Sequence, residues 1–172
     1  YISYNSGNDN NDGKSEDKAF KNLGKVNSIT FKPGDKLMFK SGETWKGYFK
    51  LRGSGSQDKP IVIESYSSGD KPKIDGNGYQ AAVFIENQEY VNISGLDLTN
   101  EASHKNSNGS VKLMNQSSRS GEDERFGLLV LRHGSSNIND IKLDDIKISE
   151  IYPTPSNSDN NHQGYGIRFE SL

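Results

Sequence analysis

Residues 82–87 read AVFIEN, residues 126–131 read FGLLVL and residues 165–170 read YGIRFE. GLLVLR at 127–132 lies over AVFIEN at an offset of 45 residues, and YGIRFE lies over FGLLVL at an offset of 39. A second class of segment runs between them. YVNISGLDLTN (90–100) lies over DIKLDDIKISE (140–150) at an offset of 50, and Val91, Ile93, Leu96 and Leu98 meet Ile141, Leu143, Ile146 and Ile148. Each of these segments bends at the same place, Gly95 or Asp145. A sandwich built from hairpins has no reason to repeat the same strands in the same order with the same bends. A solenoid does, because each coil stacks its strands on those of the coil before.

The fold class is therefore all-β, a right-handed parallel β-helix. IVIES (61–65) reads as an earlier member of the first class, which gives a coil of about 20–25 residues with a large insertion near 100–125. Alternation along the strands directs Val83, Leu128 and Ile167 inward as one column, and Ile85, Val130 and Phe169 as a second. Phe84, Leu129 and Arg168 then point outward, as do Glu86, Leu131 and Glu170. A strand at 165–170 wants a neighbour on its far side, since a bare sheet edge invites association. The remainder of the same solenoid is expected after Leu172. Covering of that strand by the insertion or by a second copy is the competing reading.

The N-terminal part reads differently. Residues 1–4 form a short strand, and NSGNDNNDG (5–13) is turn chemistry throughout. Ser15 offers an N-cap with Glu16 and Asp17 in the first turn. Ala19, Phe20, Leu23 and Val26 follow at helical spacing, which predicts one amphipathic helix over 16–27. Its apolar face would cover the open end of the solenoid. Pro33-Gly34-Asp35 turns into a strand, and another strand is expected near 46–52. The boundary between the cap and the coils falls at residue 56, giving a cap of 1–56 and coils over 57–172.

Composition agrees with a chain of short strands. Of 172 residues only 30% are hydrophobic, and 18 are glycine, so the apolar residues must be concentrated between polar turns. Lys and Arg number 21 against 23 Asp and Glu, without the basic stripe of a nucleic-acid partner. No run of about 18 apolar residues provides a membrane span. There is no cysteine, which does not preclude export from a bacterium. A chain opening at Tyr1 is compatible with a leader removed or with trimming.

YISYNSGNDNNDGKSEDKAFKNLGKV (1–26) resembles the opening of bacterial right-handed parallel β-helix proteins that act on polysaccharides. KPGDKLMFKSGETWKG, GSGSQDKPIVIESY and KPKIDGNG are similar to the next blocks of that family, in the same order. The resemblance covers roughly residues 1–98 and returns at 126–151. It implies a secreted, extracellular or periplasmic protein that degrades a polysaccharide. A glycoside hydrolase is the leading reading, a lyase acting by β-elimination the alternative, and a non-catalytic carbohydrate-binding or adhesive module a third. In such proteins the catalytic groups generally lie on later coils.

The candidate site residues follow from placement. Arg168 and Glu170 face outward from one strand, beside a Pro/Ser/Asn/Asp loop (152–163) that ends at His162. Glu170 is the candidate general acid, and Arg168 the candidate clamp for an acidic sugar. Arg132 and His133 end the equivalent strand one coil earlier and extend this into a basic ledge, which favours an acidic polysaccharide. A solvated ion pair and turn residues are the competing reading. His104 and RSGEDERF (119–126) belong to the insertion, which in solenoids maps to one face. IDGNG (74–78) and DLTNE (97–101) carry oxygen ligands but lack the spacing of a calcium loop, so they read as turns; no cofactor is expected, and calcium stays open as an alternative that no motif indicates. Trp45 reads as core. No nucleophile elbow, P-loop or zinc motif is present.

Overall fold

A computed structural model of the chain describes residues 1–102, 123–153 and 162–172. Residues 103–122 and 154–161, with His104 and the first four residues of RSGEDERF, lie outside the described residues, and so do the side chains of Asp123 and His162. The chain folds as a parallel β-helix of four coils. Coil 1 holds β1 (Lys36–Lys40), β2 (Thr44–Lys46) and β3 (Phe49–Leu51). Coil 2 holds β4 (Ile61–Tyr66), β5 (Lys73–Asp75) and β6 (Ala81–Glu86). Coil 3 holds β7 (Val91–Ser94), β8 (Asp97–Glu101) and β9 (Asp123–Arg132). Coil 4 holds β10 (Ile141–Asp144), β11 (Lys147–Tyr152) and β12 (His162–Ser171). Equivalent strands stack into three parallel sheets: sheet 1 is β1-β4-β7-β10, sheet 2 is β2-β5-β8-β11 and sheet 3 is β3-β6-β9-β12.

The registers are those of the sequence repeats. Val83 pairs with Leu128 and Leu128 with Ile167, and Val91 and Ile93 pair with Ile141 and Leu143. The bend between β7 and β8 is Gly95 at φ +67°, and between β10 and β11 it is Asp145 at φ +49°. Only glycine and a few short polar residues adopt this conformation readily, and both positions carry one. Inside, the columns are apolar from rung to rung: Trp45–Ile74–Leu98–Ile148 in sheet 2, and Phe49–Val83–Leu128–Ile167 and Leu51–Ile85–Val130–Phe169 in sheet 3.

Several expectations need correction. IVIES belongs to the other class: β4 pairs with β1 and β7 in sheet 1, because two alternating apolar strands look alike to a sequence comparison. Along sheet 1 the coil is accordingly longer than 20–25 residues, 26 from Lys36 to Val62 and 30 from Ile61 to Val91. The ladders begin at Lys36, inside the stretch that the sequence reading assigned to the cap. The helix over 16–27 is broken. Residues Glu16–Lys18 form a 3₁₀ turn and α1 spans only Leu23–Asn27, because Phe20 is drawn into a parallel bridge with Ile2. Tertiary pairing thus overrides helical spacing. Leu23 and Val26 still join the main core, with Phe20 packed against it partly buried.

The last rung departs from its columns in burial. Ile167 is 43% and Phe169 58% exposed, whereas Leu128 and Val130 are buried. Both residues do point inward, but β12 has a strand on one side only, so their outer halves meet solvent. Phe84, Leu129 and Leu131 do point away from the helix interior, yet they are buried. With Ala81 and Phe126 they form a second apolar cluster on the outer face of sheet 3, flanked by Tyr48 and Tyr165.

Candidate functional site

That outer face carries most of the residues of interest, and one local irregularity decides which ones. Strict alternation would turn Tyr165 inward with Ile167. Instead the ladder pairs Ala81–Phe126–Tyr165 and then Val83–Leu128–Ile167, with a stutter at Ala82, Gly127 and Gly166. Ala82 and Val83 both join the interior core, while Ala81 joins the outer cluster. The stutter flips one side chain per rung outward. Glycine is required at its centre: a Cβ on Gly127 would lie 2.7 Å from the Gly166 carbonyl oxygen and 2.8 Å from Ile148 Cγ2.

Tyr165 is therefore on the same face as Arg168 and Glu170. Its ring stacks on Phe126 at 5.5 Å between centroids, 13° from parallel. The Arg168 guanidinium lies over the other part of this assembly, 4.9 Å from the Tyr165 centroid. An arginine held on an aromatic ring keeps its planar fork available at reduced loss of side-chain freedom. Tyr165 went unnoticed in the sequence; the aligned glycines Gly127 and Gly166 were the signal that could have revealed it.

The four predicted binding residues do not form one cluster. Arg168 pairs in register with Leu129, and Ser171 with Arg132, so Arg132 lies level with the C-terminal end of β12 and His133 follows it. His162 begins β12, opposite Asp123. Nine strand steps separate it from the rung of Arg132, about 30 Å at the usual rise. Arg132 donates through Nη2 to the Gly134 carbonyl (2.9 Å) and lines, with Val130, Phe169 and Glu170, a recess of about 320 Å³ at the open end of the coil. His133 turns to the previous coil instead. Its Nε2 is 3.2 Å from Glu86 Oε1, and Lys50 Nζ is 2.6 Å from Glu86 Oε2. Its backbone N–H is fixed by Asn87 Oδ1 at 2.7 Å. Lys50 also lies 4.9 Å from the Phe84 ring centroid. The row Lys50–Glu86–His133 crosses three coils and was not foreseen as a unit.

Of the two oxygen-rich stretches read as turns, IDGNG runs from the end of β5 into a turn, whereas DLTNE is strand β8, which corrects that reading: its residues pair in register with β5 and β11. Asp75 Oδ1 accepts from the Asn77 N–H (2.9 Å). Asn100, fully buried, accepts from the Gly78 N–H (3.1 Å) and donates to the carbonyls of Tyr79 (2.6 Å) and Phe126 (3.1 Å). Trp45 is core, donating through Nε1 to the Lys21 carbonyl at 2.9 Å. Among the described residues no group of three His, Asp or Glu side chains is arranged to hold a metal ion.

No family model matches the chain. It is 30% identical over 129 residues to a lacto-N-biosidase of Bifidobacterium longum, an alignment spanning 59% of this chain and 8% of that protein. Over its whole length it superposes on crystal structures of the GH136 lacto-N-biosidase from Eubacterium ramulus, in native and selenomethionine forms, with a TM-score of 0.67 and 22% identity. The chain spans 30% of that structure. The curated relative and these structures all carry the name lacto-N-biosidase.

Proposed function

We propose that this chain forms the first coils of a secreted glycoside hydrolase of the lacto-N-biosidase kind, with the outward, partly exposed residues of β12 on sheet 3 (Tyr165, Arg168 and Glu170) in its sugar groove. The observation that carries the reading is the 30% identity to a lacto-N-biosidase over 129 residues of a β-helix. Glycoside hydrolysis needs a carboxylic acid to protonate the leaving oxygen and a carboxylate on the other side of the sugar. On this face Glu86 and Glu170 occupy one column, with Leu131 between them. Glu86 is tied to Lys50 and His133, and Glu170, near the end of β12, is the candidate acid of these coils. The rest of the pair belongs to further coils stacked on β12. Covering the inward faces of Ile167 and Phe169 is the structural support for such coils.

Tyr165 and Arg168 supply binding: the ring edge packs against a sugar, and the guanidinium holds an acidic substituent or a hydroxyl pair. The Arg132 and Arg168 side chains are what favours an acidic glycan as substrate. The test uses the full-length protein with lacto-N-biose-terminated and uronate-bearing oligosaccharides. Hydrolysis adds one water across the products, whereas β-elimination leaves a double bond, and mass spectrometry separates the two. Arg168→Ala should weaken binding of the charged glycan by about 1.5–3 kcal/mol, with an unchanged denaturation midpoint. Equal affinity in both proteins removes this face from the groove.

A further inference from the structure

A further hollow is on another face. Sheet 2 turns outward the column Thr44–Lys73–Asp97–Lys147, one residue from each coil. Beside it the connection from β4 to β5 is six residues long, 67–72, where the equivalent connections in coils 3 and 4 are two residues. This longer turn rises as a wall. It is anchored to coil 1 by the Gly42 N–H on the Asp70 carbonyl (2.7 Å) and by Ser41 Oγ on the Ser67 carbonyl (3.0 Å). Lys71 then reaches across coil 3 to coil 4, where its Nζ is 2.7 Å from Asp145 Oδ2. Wall and column enclose a cleft of about 610 Å³, within the size range of small-molecule sites, on the order of 300–1,000 Å³.

Asp97 is at its centre and is nine-tenths buried. Both neighbouring ammonium groups converge on one of its oxygens: Lys147 Nζ is 3.1 Å and Lys73 Nζ 3.7 Å from Oδ2. Oδ1 is buried without a hydrogen-bond partner. A buried carboxylate oxygen left unmatched is costly, so the arrangement asks for a donor. The two ammonium groups each keep spare N–H bonds, so the same cleft also offers donors. A ligand that both donates and accepts at adjacent atoms satisfies it. An anion would meet Asp97, and a cation would have to displace two lysines.

We propose that this cleft is a carbohydrate site separate from the sheet 3 groove, taking a neutral sugar. One hydroxyl donates to Asp97 Oδ1, and its neighbours accept from Lys73 and Lys147. The proposal does not depend on the hydrolase reading, since a sugar can bind here whether or not sheet 3 is a groove.

The experiment titrates the protein with galactose, N-acetylglucosamine and lactose, and with glucuronate as charged control, following the backbone amides of Thr44, Lys73 and Asp97 by NMR. Saturable shifts at these amides with a neutral sugar, at a Kd on the order of millimolar, are expected. Asp97→Asn should weaken binding roughly tenfold or more, the loss of a charge-assisted hydrogen bond. Lys147→Ala, at a side chain 61% exposed, should weaken it too, with retention of the fold checked by the dispersion of the same NMR spectrum. Arg168→Ala should leave it unchanged. Absence of saturation by any neutral sugar assigns the cleft to ordered water only and overturns the proposal. So does unchanged affinity in Lys147→Ala, or glucuronate binding as tightly as lactose.

Discussion

Asn27 stands in for a strand. β3 has a neighbour on one side only, and on the other the Asn27 side chain donates through Nδ2 to the Tyr48 carbonyl (2.9 Å) and accepts from the Lys50 N–H at Oδ1 (2.8 Å). One amide thus reproduces a rung of the ladder at the capped end. Asn27→Ala should cost about 1–3 kcal/mol, the range for stranding such groups, read as a lower urea midpoint with an unchanged slope. Asp9 holds the other part of the cap. Burial pushes its carboxyl up, but hydrogen bonds from the Asn22 N–H and side-chain amide and the Lys21 N–H outweigh this and keep it below the usual Asp range. With the folded value depressed, its stabilisation is complete above the unfolded value of about 3.9 and is lost as pH falls through the folded one. Asp9→Asn should lower the urea midpoint at neutral pH, and the gap to wild type should close in acid below about pH 4; a gap of constant size would assign the loss to something other than charge. Neither role was legible in the sequence. Asn27 bonds across more than twenty residues and Asp9 across a dozen, and such pairings leave no local pattern.

At the level of elements the sequence spoke clearly where side chains repeat and not where the backbone irregularity repeats. Apolar residues at matched offsets revealed the rungs Val83–Leu128–Ile167 and Val91–Ile141 in their true register. Strand class was ambiguous, because Ile61 and Ile63 fill an interior column as well in sheet 1 as they would in sheet 3. The stutter at Gly127 was hidden by a rule of alternation applied without interruption, and with it the outward turn of Tyr165. Gly127→Ala should therefore disturb more than one rung. Its new methyl meets the Gly166 carbonyl and Ile148, and the expected loss is about 1–3 kcal/mol, as for an overpacked core. A shift in the near-UV signal of Tyr165 should accompany it. Full stability in this variant would mean that the backbone there relaxes freely.

Across the whole molecule the two ends differ. At one end Ile2 bridges to Phe39, and Leu23 and Val26 close the core. At the other, β10, β11 and β12 each end their sheet with no further strand among the described residues, and Ile167 and Phe169 stand partly in water. Exposed apolar columns beside free strand edges promote association. The chain on its own should therefore self-associate with rising concentration, and Ile167→Lys with Phe169→Lys should shift the association constant by roughly tenfold or more, the value of burying one large side chain. Light scattering after size exclusion measures it. Identical masses for the two proteins at every concentration would show that this end is not adhesive.

The ladders also have a direction in time. Every rung joins a strand to one made earlier, from 24 residues back for Leu98 on Ile74 to 51 for Ile151 on Asn100. No rung waits for a segment still to come, so a ribosome can deliver the molecule in the order in which it assembles. The cap emerges first and serves as the template, and each completed coil becomes the surface on which the next one condenses.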